Sequence, residues 1–168
     1  FLDLIHRRMT LTLGEGLGAK EKSPIEFFEY SYGASMYSPV MFFAVGTGGA
    51  IGAMLRYGIS QLPPLSSSSS LFPVATLIVN VFGAFIIGLI AGCLIRTQLL
   101  SPASTSFWKA GFCGGLTTFS TFSLETVGLI DKGHWGIASG YIVASVVLTI
   151  IGVVVGRWIA LCIWSNGS

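Results

Sequence analysis

Between Pro39 and Leu161 the chain carries four apolar stretches, over about 39–57, 72–95, 108–130 and 135–161. Each is near the ~20 residues needed to cross a bilayer as a helix. In hydrocarbon every backbone N–H and C=O must find its partner inside the protein, so such stretches take helical form. Only 10% of the 168 residues are charged and 52% are hydrophobic, whereas a soluble domain carries roughly 25% charged residues. The expected fold is an all-α, multi-pass integral membrane protein with four transmembrane helices, the third broken near its middle. Residues 39–164 make this bundle and residues 1–38 an N-terminal arm. A plasma membrane and an organellar membrane both remain open.

The break is predicted from GFCGGLTTFSTFS, Gly111 to Ser123. Gly111, Gly114 and Gly115 each weaken a helix by ~1 kcal/mol relative to alanine. Thr117, Thr118, Ser120, Thr121 and Ser123 add hydroxyls that lipid leaves unsatisfied. A helix break at membrane depth is tolerated only where its backbone is buried in protein or lines a wet cavity. The new half-helix N-terminus then turns N–H groups and positive dipole toward that cavity. An anion suits the place. Phe119 and Phe122 put both rings on one face of the second half-helix, among the hydroxyls. Their positive ring edges, with hydroxyl donors, replace water around a small hard anion without a fixed charge that would hold it too long. The other reading makes the rings ordinary packing and bonds the hydroxyls back to their own helix. The residues alone leave both open.

The remaining spans carry fewer signals. Gly48/Gly52, Gly88/Gly92 and Gly152/Gly156 are small-xxx-small pairs that let helices approach closely. Asn80 is the one strongly polar side chain of the second span, either glue between helices or an N–H donor to a permeant anion. Tyr141, Ser145 and Thr149 form a polar stripe down the fourth span, facing the broken helix or bonded back within their own. QLPPLSSSSSL, from Gln61 to Leu71, is a polar connection. Cys93, Cys113 and Cys162 lie in apolar stretches without metal-ligand spacing and read as small hydrophobes.

Charge bears on orientation. Four spans put both termini on one side, with Lys20, Lys22, Arg96, Lys109 and Arg157, and Arg7 and Arg8 farther off. The other side has Arg56 and Lys132. The bundle alone is nearly balanced, and the arm biases the termini toward the positive-retaining compartment. The arm itself is either interfacial, with Phe27, Phe28, Tyr30, Tyr32 and Tyr37 at headgroup level, or loose. A net charge of +2 with no basic, aromatic-interleaved patch excludes a nucleic-acid partner.

Three motifs, GTGGAIGAMLRY, VNVFGAFIIG and GFCGGLTTFSTFS followed by Leu124 and Glu125, occur in this order within Pro39 to Leu161. Together they resemble the signatures of the CrcB/Fluc fluoride channels. The resemblance implies an antiparallel, dual-topology homodimer enclosing two fluoride pores and one central structural sodium ion. It implies Asn80, Phe119 and Phe122 as pore residues, Ser120, Thr121 and Ser123 as a hydroxyl track, and Tyr141 and Ser145 as fourth-helix partners. It also implies Gly114 and Thr117 as sodium ligands through their backbone carbonyls, with Arg56 and Glu125 in structural or vestibule positions.

The function expected is passive, fluoride-selective export. Its alternative is a CrcB-like bundle recruited as an accessory subunit beside other membrane proteins. No enzyme is expected, for the chain has no GxxxxGK[ST] loop and no convergent catalytic groups.

Overall fold

A computed structural model describes residues 38–63, 71–96 and 100–165. The arm expected over 1–38, save Ser38, and most of the Pro/Ser-rich connection lie outside these residues. Helix α1 runs Pro39–Ser60, with Pro39 in the first turn, where a missing N–H costs nothing. Helix α2 runs Val74–Arg96 and α6 runs Trp135–Ser165. All three are long and apolar enough to cross a membrane. The protein is helical and multi-pass.

The third crossing is assembled from pieces. A short helix α3, Pro102–Ser106, is capped by the Ser101 side chain, which accepts from the Ser104 N–H. A π-helical segment follows, Phe107–Cys113, then α4, Gly114–Leu116, and α5, Phe119–Asp131. Thr117 (φ −82°, ψ 155°) and Thr118 (φ −149°, ψ 119°) are extended. The helix is therefore broken as expected, but not at its glycines. Gly114 is helical, at φ −64° and ψ −36°. The chain leaves the helix where threonine hydroxyls and a neighbouring amide are at hand to take up its backbone groups.

The glycines serve close approach instead. A Cβ on Gly52 would strike the Phe112 carbonyl and the Leu116 N–H, and one on Gly115 would strike the backbone of Gly49. Helix α1 thus meets the π segment and α4 backbone to backbone, as small-residue packing in membranes predicts. The same device joins α2 to α6 along their length, with Gly156 against the Phe85 carbonyl. At the other end of α5, Gly133 adopts φ +79°. Its N–H bonds to Ile130 O at 2.8 Å, and that of His134 to Leu129 O at 2.9 Å. This glycine C-cap turns the chain directly into α6.

Candidate functional site

The break frees several backbone groups, and side chains satisfy three of them. Thr118 N–H, no longer serving the Gly114 carbonyl, donates to Asn80 Oδ1 at 2.7 Å. Asn80 Nδ2 donates in return to Thr118 O at 3.1 Å. Thr118 is also the N-cap of α5: its hydroxyl accepts from Thr121 N–H at 3.2 Å, a bond that replaces one of the orphan donors at a helix start. The fourth group, the Thr117 carbonyl, loses its helical donor because Thr121 N–H has gone to Thr118 Oγ1. Two carbonyls, those of Gly114 and Thr117, are thereby released from the donors an unbroken helix would have given them.

Beside the break lies a cavity of about 440 Å3. Asn80 and Gly83 line it from α2, Thr117, Thr118, Phe119 and Phe122 from the break and α5, and Ser145 and Thr149 from α6. The Phe119 and Phe122 rings stand 5.4 Å apart. Phe119 is 78% exposed at the rim, whereas Phe122 is half-buried and packs on Tyr141 at 5.1 Å. Ser145 is buried, and its Oγ has no hydrogen-bond partner. Asn80 spends one amide hydrogen on Thr118, which leaves the second.

The other expected residues have different places. Ser120 and Thr121 cluster on the Thr118 hydroxyl, at 3.2 and 3.1 Å, and Ser123 bonds back to Phe119 O at 2.8 Å. None of the three lines the cavity. Thr149 lines it while bonding back to Ser145 O. Tyr141, fully buried, turns away from the cavity: its hydroxyl donates to Glu125 Oε2 at 2.7 Å. Thr76, one turn before Asn80 on α2, donates to Glu125 Oε1 at 2.8 Å. Arg56 Nε donates to Gly115 O at 3.2 Å, tying α1 to α4.

Sequence reasoning missed Thr76 as a partner of Glu125, although its i, i+4 spacing to Asn80 puts both on one face of α2. It also missed Lys109 and Cys113 on the cavity wall. Their spacing to Thr117, in steps of four, was the available signal.

Comparison with known proteins accords with this arrangement. The family model described as "CrcB-like protein, Camphor Resistance (CrcB)" matches residues 43–157, from early in α1 through most of α6. A protein of Saccharophagus degradans named fluoride-specific ion channel FluC is 44% identical over 120 residues, 70% of this chain and 87% of its own length. Another of that name, from Francisella tularensis subsp. mediasiatica, is 38% identical over 124 residues, covering 71% of this chain and 94% of that protein. One from Sulfurovum sp. is 44% identical over 118 residues, 70% and 91% of the two chains. On the match over 115 of its residues, the chain belongs to the CrcB family.

Proposed function

We propose that this chain conducts fluoride passively and selectively across a membrane. The observation that carries the reading is the cavity at the broken helix. It gathers the spare Asn80 amide hydrogen, the unpartnered Ser145 hydroxyl and two phenylalanine rings beside the N-terminus of α5. Among the described residues no carboxylate lines it. Spare donors with no carboxylate beside them, set among apolar walls, suit a small hard anion that must shed its water. The chain's own residues then divide the work. Thr118 and Asn80 hold the break open, the α5 N-terminus supplies positive potential, and Ser145 and Asn80 offer N–H and O–H to the ion. The ring edges of Phe119 and Phe122 take the place of water around the ion.

A cavity rimmed by Asn80, Ser145 and the exposed Phe119 is costly to leave against lipid. A second copy, antiparallel to the first, is the cover proposed here. The released carbonyls of Gly114 and Thr117 fit a sodium ion, which prefers hard oxygen ligands. Two oxygens from one chain are few for such an ion, and a second copy would double them. When bound, sodium supplies a structural cross-link between the two breaks.

The test is fluoride efflux from proteoliposomes containing the parent chain and Phe119→Ile and Phe122→Ile variants. Rapid fluoride efflux with little chloride efflux, lost in both variants, is expected. A parent chain that moves no fluoride, or variants with undiminished flux, would overturn the reading.

A further inference from the structure

Arg56 reaches from α1 to the last turn before the break, where its Nε donates to Gly115 O at 3.2 Å. In an unbroken helix that carbonyl would accept from Phe119 N–H, which the extended Thr117 and Thr118 carry off into α5. Gly115 O is thus a further carbonyl that the break deprives of its helical donor, and a cationic side chain takes it up. Its neighbours Gly114 and Thr117 supply the two carbonyls assigned above to sodium. Gly115 faces α1, since a Cβ on it would strike the Gly49 backbone, whereas one on Gly114 would meet nothing closer than 3.9 Å. Helix α4 is three residues long, two of them glycine, and no helical turn follows to hold its carbonyls in line. The Arg56 guanidinium is planar, permanently charged and half-buried. Its bond therefore fixes the carbonyl it holds more firmly than a neutral donor would.

We propose that Arg56 is the positioning residue of the cation site: by holding Gly115 O it keeps that carbonyl out of the ligand set and fixes the last turn from which Gly114 and Thr117 present theirs. Two positive groups then share the carbonyl end of the first half of the crossing, one fixed and one exchangeable, each on its own oxygens. Packing of Gly115 on Gly49 sets how closely α1 and α4 approach but bonds to neither ligand carbonyl, so the orienting task falls to Arg56. Groups that orient metal ligands in this way change metal affinity about 10–100-fold when they are removed. The inference rests on the cation site proposed above.

The experiment is a sodium titration of thermal stability on the detergent-extracted protein, with choline replacing sodium at constant ionic strength, for the parent, Arg56→Gln and Arg56→Lys. A bound ion raises the unfolding temperature as its concentration passes the dissociation constant, so each curve yields a sodium midpoint separate from the starting stability. Arg56→Gln raises that midpoint about 10–100-fold. Arg56→Lys, which keeps the charge without the planar fork, falls between. Lys132→Gln, which removes a charge from the exposed C-cap of α5, keeps the parent's midpoint. Arg56 variants that melt earlier without sodium yet keep the parent's midpoint overturn the proposal, for the residue is then structural only. A second measurement uses the parent alone, through its carbonyl-carbon NMR resonances in bilayers: sodium shifts those of Gly114 and Thr117 and leaves that of Gly115 in place. A Gly115 resonance that moves with them overturns the proposal as well. A parent that sodium does not stabilise removes the cation site itself, and because that failure shows in the parent's own titration, the two are distinguishable.

Discussion

Asn80 and Thr118, 38 residues apart in the chain, exchange two hydrogen bonds across the break, side-chain amide against backbone amide. The amide does for Thr118 what the next turn of helix would have done. Replacing Asn80 by alanine orphans a half-buried N–H and C=O, at up to about 1–3 kcal/mol for each group. We expect Asn80→Ala to lower the thermal stability of the detergent-extracted protein by several degrees and to abolish fluoride flux. Asn80→Asp keeps the acceptor for Thr118 N–H and should recover part of the stability. Its negative charge should keep flux near zero. Stability and flux measured on both variants check this.

The two phenylalanines should separate in the same way. Phe119 is 78% exposed in the single chain, while Phe122 packs against Tyr141 and the Leu129–Ala138 cluster. Phe119→Ala should leave the extracted chain's folding little changed, whereas Phe122→Ala should cost about 3–5 kcal/mol as a core truncation. Both should lose conduction. Equal thermal shifts for the two would contradict the placement.

Glu125 accepts from two hydroxyls, Tyr141 at 2.7 Å and Thr76 at 2.8 Å. Hydrogen bonds to a charged group contribute about 1.5–3 kcal/mol each. Tyr141→Phe and Thr76→Val should each destabilise by an amount in that range. The double variant should fall short of the sum, because both hydroxyls serve one carboxyl group. Thermal unfolding of the four proteins of this cycle is the measurement; strict additivity would speak against a shared site.

Gly52→Val should also be strongly destabilising. Its side chain would enter the backbone of Phe112 and Leu116, which has no rotamer by which to move aside. Overpacking ordinarily costs about 1–3 kcal/mol, and a clash with backbone lies at or beyond the upper end. The expected outcome is protein that extracts as aggregate, whereas Gly136→Ala, with nothing near its added carbon, extracts normally.

The sequence carried the fold through hydrophobic runs and the close packing through glycine pairs, since both are local patterns. The break was legible in kind and within the Gly111–Ser123 run, but not to the residue. Glycine at 111, 114 and 115 lowers helix propensity, yet tertiary contact with α1 rewards helix there, and propensity yields. The extended pair Thr117–Thr118 is stabilised by Asn80, from another helix, a relation no window along the chain contains. Tyr141 reads as part of a polar stripe with Ser145 and Thr149, but which way a tyrosine turns depends on where an acid lies, and Glu125 is on a different element. The π segment was invisible, because one extra residue per turn leaves little mark on an apolar run.

The backbone-to-backbone contact of α1 has a mechanical meaning. It fastens the first half of the third crossing, the π segment and α4, to α1, with the Arg56 bond to Gly115 as a further tie. The second half, α5, leans on α6, chiefly through Phe122 and Glu125 on Tyr141. One crossing thus belongs to two partners, joined by two extended threonines and clasped by a single asparagine. Any force that moves α6 against α1 converges on that clasp, so one wall of the proposed pathway is also the hinge of the chain.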